Sequence, residues 1–452
     1  MTDPIEHVIV LMLENRAFDH ILGDCAKVRA HAGHGPDKLN QYNGTDYSQC
    51  AGAARQVIDD PCHETSDVLV QLAGSGSVPE NGGFVLDYAR NYPRLGDPGE
   101  VMRYHADGTL PAIHTIAASF TICDHWHASV PGPTWPNRLF VMSGTSLGRV
   151  KMPNGIMSLN LHWYDQPTVF DRLNEKKKDW KVYFGDTPLS FLLVHQWEPE
   201  NVVHHHHMTE FYKDAAGDPT KFPSFAFIEP AYMNPGANDA HPPHDIVEAD
   251  LLVARVYNAI RANDELWKSS LLVVLFDEHG GFYDSVYPKK TAVPPDHHTE
   301  EYDFTQYGVR VPALLVSPYS ANAFFSELLD HTSLLKYLQD KWGLGELGAR
   351  TASAASFASA LQGEFRDDTP KVLEIAHPGV TPPPKQGELT DHQAALVALS
   401  QHLETMGGED ANVIAARSRQ VLSGAQSQMD AAVDRVEAFI SHQKARVGQR
   451  TA

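Results

Sequence analysis

The chain has 452 residues, and its 57 acidic side chains outnumber the 36 lysines and arginines, which gives a formal net charge of −21. This negative charge argues against a nucleic-acid partner and against electrostatic adhesion to anionic membranes. No run of the sequence approaches the roughly 18–20 apolar residues of a membrane span. Because the length exceeds the ~250–300 residues at which single cores stop growing, we expect one large α/β domain with an additional piece.

The start of the chain leads almost directly into an apolar run and lacks the basic, apolar and small-residue sections of a signal peptide. The sequence therefore leaves three interpretations open: a cytosolic protein, a protein exported by a signal-independent route, or a chain numbered without its leader.

Two apolar runs predict strands that end at polar side chains. The first is His7–Leu13, and the second is Leu271–Phe276, which has the unbroken apolar character of strands buried on both faces of a parallel sheet. In open α/β sheets, ligands collect beyond the carboxyl ends of the strands, and carboxylate and amide oxygens suit hard cations. If the two strands are neighbours, the side chains that follow them can build an oxygen-rich metal site; they are Glu14, Asn15, Asp277 and Glu278.

The segment 131–138, Pro-Gly-Pro-Thr-Trp-Pro-Asn-Arg, predicts an extended approach followed by a helix. Thr134 is a favourable N-cap, and proline is tolerated in a first helical turn. Thr134 is therefore expected at the positive end of a helix, where backbone N–H groups and the dipole favour phosphate. Asn137, one turn further on, can point the same way. The alternative is a well-capped helix that binds nothing.

The chain contains 25 histidines, and an acidic protein that binds phosphate needs local positive groups of this kind. His63 precedes an amphipathic segment, His241 lies in a rigid proline-containing loop, and residues 204–207 are four consecutive histidines. Metal or phosphate contact is one interpretation. A surface or capping role is the alternative for His63, and a solvated polar run is the alternative for at least two of the four.

The remaining elements predict an α/β fold with a mostly parallel central sheet flanked by helices. Further strands are expected at 181–185, 225–229 and 311–316, with a helix at 247–261. After a proline-rich crossing at 365–390, helices are expected at 389–406 and 413–447, packed outside the sheet or forming a partner surface. This gives a catalytic domain over 1–364 and a C-terminal helical extension over 365–452.

Three segments resemble a known family when they are taken in order: 13–20 (LENRAFDH), 131–138 (PGPTWPNR) and 277–284 (DEHGGFYD), followed by 308–312 (GVRVP). They resemble the bacterial phosphoesterases that include phosphatidylcholine-type phospholipases C and related acid phosphatases, with an alkaline-phosphatase-like fold. The resemblance covers residues 7 to about 345. It implies a secreted or periplasmic enzyme that acts on a phospholipid or another phosphate ester, with peripheral membrane contact, and leaves the oligomeric state open.

The resemblance also implies roles for the residues singled out above. One divalent metal ion is held by the four side chains beyond the two strands, and calcium, zinc, magnesium and manganese all remain open. Thr134 is the nucleophile, because a metal can lower the pKa of its hydroxyl. The expected catalytic contacts to phosphate come from Asn137, His63 and His241, and further substrate contacts come from His206 and His207.

The implied function is a metal-dependent phospholipase C that hydrolyses choline-type phospholipids through a phospho-threonine intermediate. Threonine at the nucleophile position favours this function over an acid phosphatase, in which serine is usual. The alternatives are an acid phosphatase or, in another class, a non-catalytic phosphate- or metal-binding protein. A quaternary ammonium group is expected to meet an aromatic face near the nucleophile; its candidates are Trp135, Phe282, Tyr283 and Tyr232. The alternative is that Trp135 packs under its helix.

Overall fold

The computed structural model describes residues 3–31, 38–152, 163–233, 236–296, 302–361, 363–373, 389–406 and 424–450. Its strands are β1 (His7–Leu13), β2 (Leu39–Tyr42), β3 (Thr45–Ser48), β4 (Cys50–Ala51), β5 (Arg103–Tyr104), β6 (Thr121–Cys123), β7 (Trp126–His127), β8 (Trp180–Phe184), β9 (His205–His207), β10 (Phe225–Glu229), β11 (Ser270–Phe276), β12 (Ala313–Val316), β13 (Phe324–Phe325) and β14 (Leu329–Asp330). Its α-helices are α1 (Phe18–Leu22), α2 (Ala26–His31), α3 (Thr65–Leu72), α4 (Phe84–Asn91), α5 (Pro111–Ser119), α6 (Thr134–Ser143), α7 (Val169–Glu175), α8 (Pro199–Val202), α9 (Met208–Ala216), α10 (Ile246–Arg261), α11 (Asp264–Trp267), α12 (Thr332–Trp342), α13 (Gly348–Ser353), α14 (Asp391–Met406) and α15 (Ala425–Arg450).

The central sheet has the strand order β13-β6-β12-β11-β1-β10-β8-β9 within the described residues. Its strands pair in parallel except on the two sides of β12. The predicted α/β class with a mostly parallel sheet is confirmed, and the predicted strands agree with the observed ones to within two residues.

Strands β1 and β11 are neighbours, which is the condition that the predicted metal site requires. Leu13, the last residue of β1, lies opposite Phe276, the last residue of β11. All seven residues of each strand are buried, as expected for strands covered on both faces. The polar residues that follow the two strands therefore lie side by side at the carboxyl end of the sheet.

The C-terminal helices pack into the same hydrophobic core as the sheet. Leu396 and Leu403 of α14 and Phe439 of α15 belong to the core cluster that contains β1 and β11. The helix predicted over 413–447 is observed from Ala425 onward, and residues 413–423 lie outside the described ranges. The proposed division at 364/365 stays a prediction. Among the helices of the described ranges, none is both long and apolar enough to cross a membrane.

Candidate active site

Asn15 and Glu14 follow β1, and Asp277 and Glu278 follow β11, all fully buried at the carboxyl edge of the sheet. The backbone N–H of Asn15 donates to Asp277 Oδ1 at 3.0 Å. Asn15 has a φ of 57°, a left-handed conformation that asparagine tolerates better than most residues. Gly280 fits closely against this turn, because a Cβ at position 280 would lie 2.3 Å from the carbonyl oxygen of Asn15.

Arg138 of α6 is the buried cation of this cluster. Its Nη2 lies 3.1 Å from Glu14 Oε1, and its Nε lies 3.4 Å from Asp277 Oδ2. One guanidinium does not neutralise three buried carboxylates. Burial and the neighbouring charge of Glu14 consequently raise the pKa of Asp277 to about 8.

The carboxylate and amide oxygens of these residues are ligand types that suit a cation. Oε1 of Glu278 is buried and has no hydrogen-bond partner among the described residues. A buried carboxylate oxygen without a hydrogen bond is costly, so it favours a positive group nearby, and His63 Nε2 lies 3.9 Å from this oxygen. The side chains that the sequence predicted as oxygen ligands thus follow two neighbouring strands and are buried together. Their role as metal ligands stays a prediction.

Thr134 is the first residue of α6 and faces the same turn. Its Oγ1 donates to Asn15 Oδ1 at 3.3 Å. Its predicted role as an N-cap is wrong, because Pro133 occupies that position and no side chain caps the helix. The threonine hydroxyl is consequently not used by the helix backbone and lies beside a predicted metal ligand.

Asn137 does not face the cavity, in contrast to the expectation from its helical spacing. Its Nδ2 lies 2.9–3.2 Å from the carbonyl oxygens of Val130, Gly132 and Pro133, and its Oδ1 accepts from the N–H of Val130 at 3.1 Å. The amide is therefore occupied by the loop that precedes Thr134. This geometry supports a positioning role instead of the expected contact with phosphate.

His63 and His241 lie next to each other, with ring centroids 5.7 Å apart. Nε2 of His63 lies 3.1 Å from Asn15 Nδ2. Burial opposes the protonation of His63, but the carboxylates of Glu278 and Asp60 outweigh it and raise the pKa of His63 to about 9. Burial and the adjacent His63 hold the pKa of His241 well below its ordinary value. At neutral pH the first imidazole is therefore cationic and the second neutral.

These groups open into a cavity of about 240 Å³. Its lining comprises Asp60, Cys62, His63, Glu64, Asp67, Tyr92, Thr134, Met152, His241, Leu389, Thr390, Asp391 and His392. The last four residues belong to the C-terminal segment, which was expected outside the sheet. His392 is 4% exposed, and its Nδ1 lies 3.2 Å from Glu14 Oε2. It is the site residue that the sequence did not indicate, because no motif surrounds it.

His206 and His207 do not line the cavity that contains Thr134, so the structure does not bring them together with the other predicted site residues. They belong to edge strand β9, three strands from β1, which corresponds to roughly 14 Å. Both line a separate cavity of about 310 Å³ beside α15, where His207 Nε2 lies 3.6 Å from Glu437 Oε1. The order of strands in the sheet, which the sequence does not reveal, separates them from the site.

The aromatic side chains expected to contact a quaternary ammonium are buried. Trp135 is fully buried in the core, Phe282 packs with a small cluster around Val57, and Tyr283 packs on Phe84. The burial of Trp135 agrees with the alternative, packing under its helix, and does not support the expected contact with the substrate. Tyr232 is also buried, and its ring stacks on His392 with centroids 5.1 Å apart.

Comparison with known proteins places the chain in a family. A sequence model described as the Phosphoesterase family matches residues 5–345. Non-specific phospholipase C6 of Arabidopsis thaliana is 33% identical, over 88% of this chain and 80% of that protein. Non-specific phospholipase C4 of Arabidopsis thaliana is 29% identical, over 89% and 79%. Non-hemolytic phospholipase C of Pseudomonas aeruginosa is 28% identical, over 76% and 54%. The family resemblance is confirmed: the chain belongs to the phosphoesterase family and is a phosphoric ester hydrolase.

Proposed function

We propose that this protein is a metal-dependent phospholipase C that cleaves choline-type phospholipids through a phosphorylated Thr134. The observation that carries the proposal is the place of the Thr134 hydroxyl, 3.3 Å from Asn15 Oδ1 at the start of α6 and in the wall of the cavity. The N-terminus of that helix favours a negatively charged phosphoryl group. Relatives named phospholipase C over most of the chain support the same reaction class.

The ion would be held by the four side chains beyond β1 and β11: Glu14, Asn15, Asp277 and Glu278. When bound, it would lower the pKa of the attacking hydroxyl and neutralise phosphoryl oxygens. Arg138 keeps two of the carboxylates in place through its contacts with Glu14 and Asp277. The protein thus prepares an anion site without a cluster of lysines.

The cationic His63 supplies the proton that the reaction needs. Its Nδ1 donates to the carbonyl of Pro61 at 2.8 Å, and its Nε2 lies 3.1 Å from Asn15 Nδ2. Because the amide nitrogen is itself a donor, a proton on Nε2 finds no acceptor in Asn15 and is available to the substrate. Thr134 gives up its proton to solvent before its oxygen attacks phosphorus. As the Thr134–phosphorus bond forms, the bond from phosphorus to the leaving alcohol breaks, and the protonated Nε2 of His63 passes its proton to that alcohol. Water next hydrolyses the phosphothreonine and releases the phosphorylated head group.

The charge of the cavity favours a diester with a cationic head group over a monoester. Four carboxylates line the cavity, at Asp60, Glu64, Asp67 and Asp391. They attract an ammonium group and repel the second negative charge of a phosphomonoester. We expect kcat/KM for p-nitrophenyl phosphorylcholine to exceed that for p-nitrophenyl phosphate. A monoester preferred by tenfold or more would assign the protein to the acid phosphatases instead.

Acid quench during turnover, followed by mass spectrometry, tests the intermediate directly. Wild-type protein should carry one phosphoryl group on Thr134. Thr134→Ala should lose several orders of magnitude in kcat, on the order of 10³-fold or more, whereas Thr134→Ser should retain activity. Thr115→Ala, at an exposed helical position, is the control. Full activity of Thr134→Ala would exclude the covalent route.

Metal dependence is tested separately by chelation. Activity should disappear when the protein is stripped of divalent ions and return when one is added back. Exhaustively demetallated protein, verified by elemental analysis, that still turns over at the wild-type rate would refute this part of the proposal.

A further inference from the structure

Glu14, which is also one of the four predicted oxygen ligands, forms a compact buried cluster with His241 and His392. One ligand atom from each residue lies within 4.8 Å of the other two. All three side chains are at most 4% exposed. Two of the three residues are imidazoles, so this cluster differs in donor type from the carboxylate and amide oxygens beyond β1 and β11.

The cluster contains one buried ring nitrogen, Nε2 of His392, that nothing in the described part of the chain satisfies. Nδ1 of His392 lies 3.2 Å from Glu14 Oε2, whereas Nε2 of His392 has no hydrogen-bond partner among the described residues. His392 is more than nine-tenths buried, and it lines the cavity that contains Thr134. Buried polar groups are normally satisfied, so a buried imidazole nitrogen without a partner in the wall of a cavity is a candidate ligand for a bound cation.

His241 is prepared as a ligand by its own backbone. Its Nδ1 donates to the carbonyl of Pro242, which leaves the lone pair on Nε2. A backbone carbonyl that fixes the tautomer in this way is the usual support of a metal-binding histidine.

His392 is held in place from two sides. Its ring stacks on Tyr232, and the next residue, Gln393, donates to the Tyr232 carbonyl at 3.1 Å. Thr390 and Gln393 also form reciprocal hydrogen bonds, at 3.1 and 3.2 Å, which fix the first turn of α14. The imidazole therefore reaches the cavity on a rigid support.

We propose that Glu14, His241 and His392 form a second cation site, selective for a borderline ion such as Zn²⁺ or Co²⁺. Two imidazole nitrogens and a carboxylate oxygen are a ligand set that such ions prefer, whereas oxygen-only sites suit Mg²⁺ and Ca²⁺. Tetrahedral Zn²⁺ places its ligand atoms roughly 3.4 Å apart, so the cluster needs only small side-chain movements to close. Glu14 would then be shared between the two proposed cation sites.

Co²⁺ binding to the full-length, metal-stripped protein tests the site without turnover, so the outcome is independent of the proposed reaction. Wild-type protein should show the visible absorption of Co²⁺ with nitrogen and oxygen ligands. His392→Gln should weaken Co²⁺ binding at this site by at least about 100-fold and remove that absorption. His402→Gln is the matched control, because His402 lies on the same helix but packs against Trp163. Asp277→Asn, which removes a ligand of the oxygen site, should leave the absorption intact.

His392→Cys keeps the proposal testable if the glutamine variant does not fold. A thiolate at position 392 should restore Co²⁺ binding and add a sulfur-to-metal charge-transfer band. The site is refuted if His392→Gln binds Co²⁺ with wild-type affinity and spectrum. It is also refuted if Asp277→Asn alone abolishes the whole Co²⁺ signal, because the oxygen ligands would then account for all of the binding.

Discussion

Asn15 shows how much of the site depends on a single residue. Its backbone N–H holds Asp277, its Nδ2 contacts His63, and its Oδ1 accepts from Thr134. These three contacts require the left-handed turn at φ 57°, which brings the side chain back over the end of β1.

Mutation can separate the role of the left-handed backbone turn at Asn15 from the role of its side chain. Asn15→Gly should keep the free energy of unfolding close to wild type and abolish activity, because glycine adopts the turn but lacks the amide. Asn15→Ala should lose activity and also about 1–2 kcal/mol of stability, because alanine resists a left-handed conformation. Urea unfolding and initial rates measure the two effects. Equal stability of the two variants would contradict the assigned backbone strain.

Arg138 is expected to be the most sensitive charged residue of the cluster. Arg138→Met leaves Glu14 and Asp277 buried without their cation and should cost about 3–5 kcal/mol of unfolding free energy. Arg172→Met, which breaks a partly exposed pair with Glu175, should cost at most about 1 kcal/mol. Denaturant titration of both variants makes the comparison. A loss below about 1 kcal/mol for Arg138→Met would show that the buried pairs are not stabilising.

At the scale of an element, α6 and the loop before it act as one unit. The loop 130–133 has a fixed shape because Asn137, one turn into α6, bonds its backbone groups. The nucleophile position is thus set by a side chain that does not itself reach the cavity.

The positioning role of Asn137 predicts coupled losses. Asn137→Ala leaves buried loop carbonyls unpaired, so it should cost about 1–3 kcal/mol in stability and reduce kcat more than it raises KM. Asn137→Asp should be worse, because a carboxylate would face three carbonyl oxygens. Thermal unfolding and steady-state kinetics on the same preparations test this. A variant with wild-type stability but a large rise in KM would instead support direct contact with phosphate.

At the scale of the whole molecule, buried neutral histidines make the fold sensitive to acid. Burial lowers the pKa of His105, His127 and His205 to about 3. An unfolded histidine titrates near pH 6.5, so below that pH the unfolded chain binds protons that the folded chain does not. These residues contribute fully to the free energy of unfolding above pH 6.5, and the contribution is lost as the pH falls toward 3.

His127→Gln isolates one of these contributions. Between pH 5.5 and 4, its free energy of unfolding should fall less steeply than that of wild type, by up to about 1.4 kcal/mol per pH unit. Urea titrations at four pH values give the slopes, with His442→Gln at an exposed position as the control. Parallel curves for wild type and His127→Gln would show that this imidazole titrates normally in the folded state.

Short sequence patterns predicted the features that depend on residues close together in the chain. The strands β1 and β11, the polar residues after them and the helix start at Thr134 follow from apolar runs, glycines and prolines. The environments of Trp135 and Asn137 did not follow, because the rotation of α6 against the sheet decides which side chains face the cavity. The distance of His206 and His207 from the other predicted site residues also did not follow, because strand order depends on long-range pairing. His392 was missed because only tertiary packing of α14 brings it beside Glu14.

The central position of β1 has a consequence for how the protein is made. Both of its partners, β10 and β11, follow it by more than 200 residues. At roughly 5–20 residues per second, translation leaves this wholly apolar strand without a partner for about 10–40 s. Such a segment is a site of premature self-association during that interval. Synthesis of soluble enzyme should therefore depend on chaperone supply, and slower translation before β10 should lower the yield.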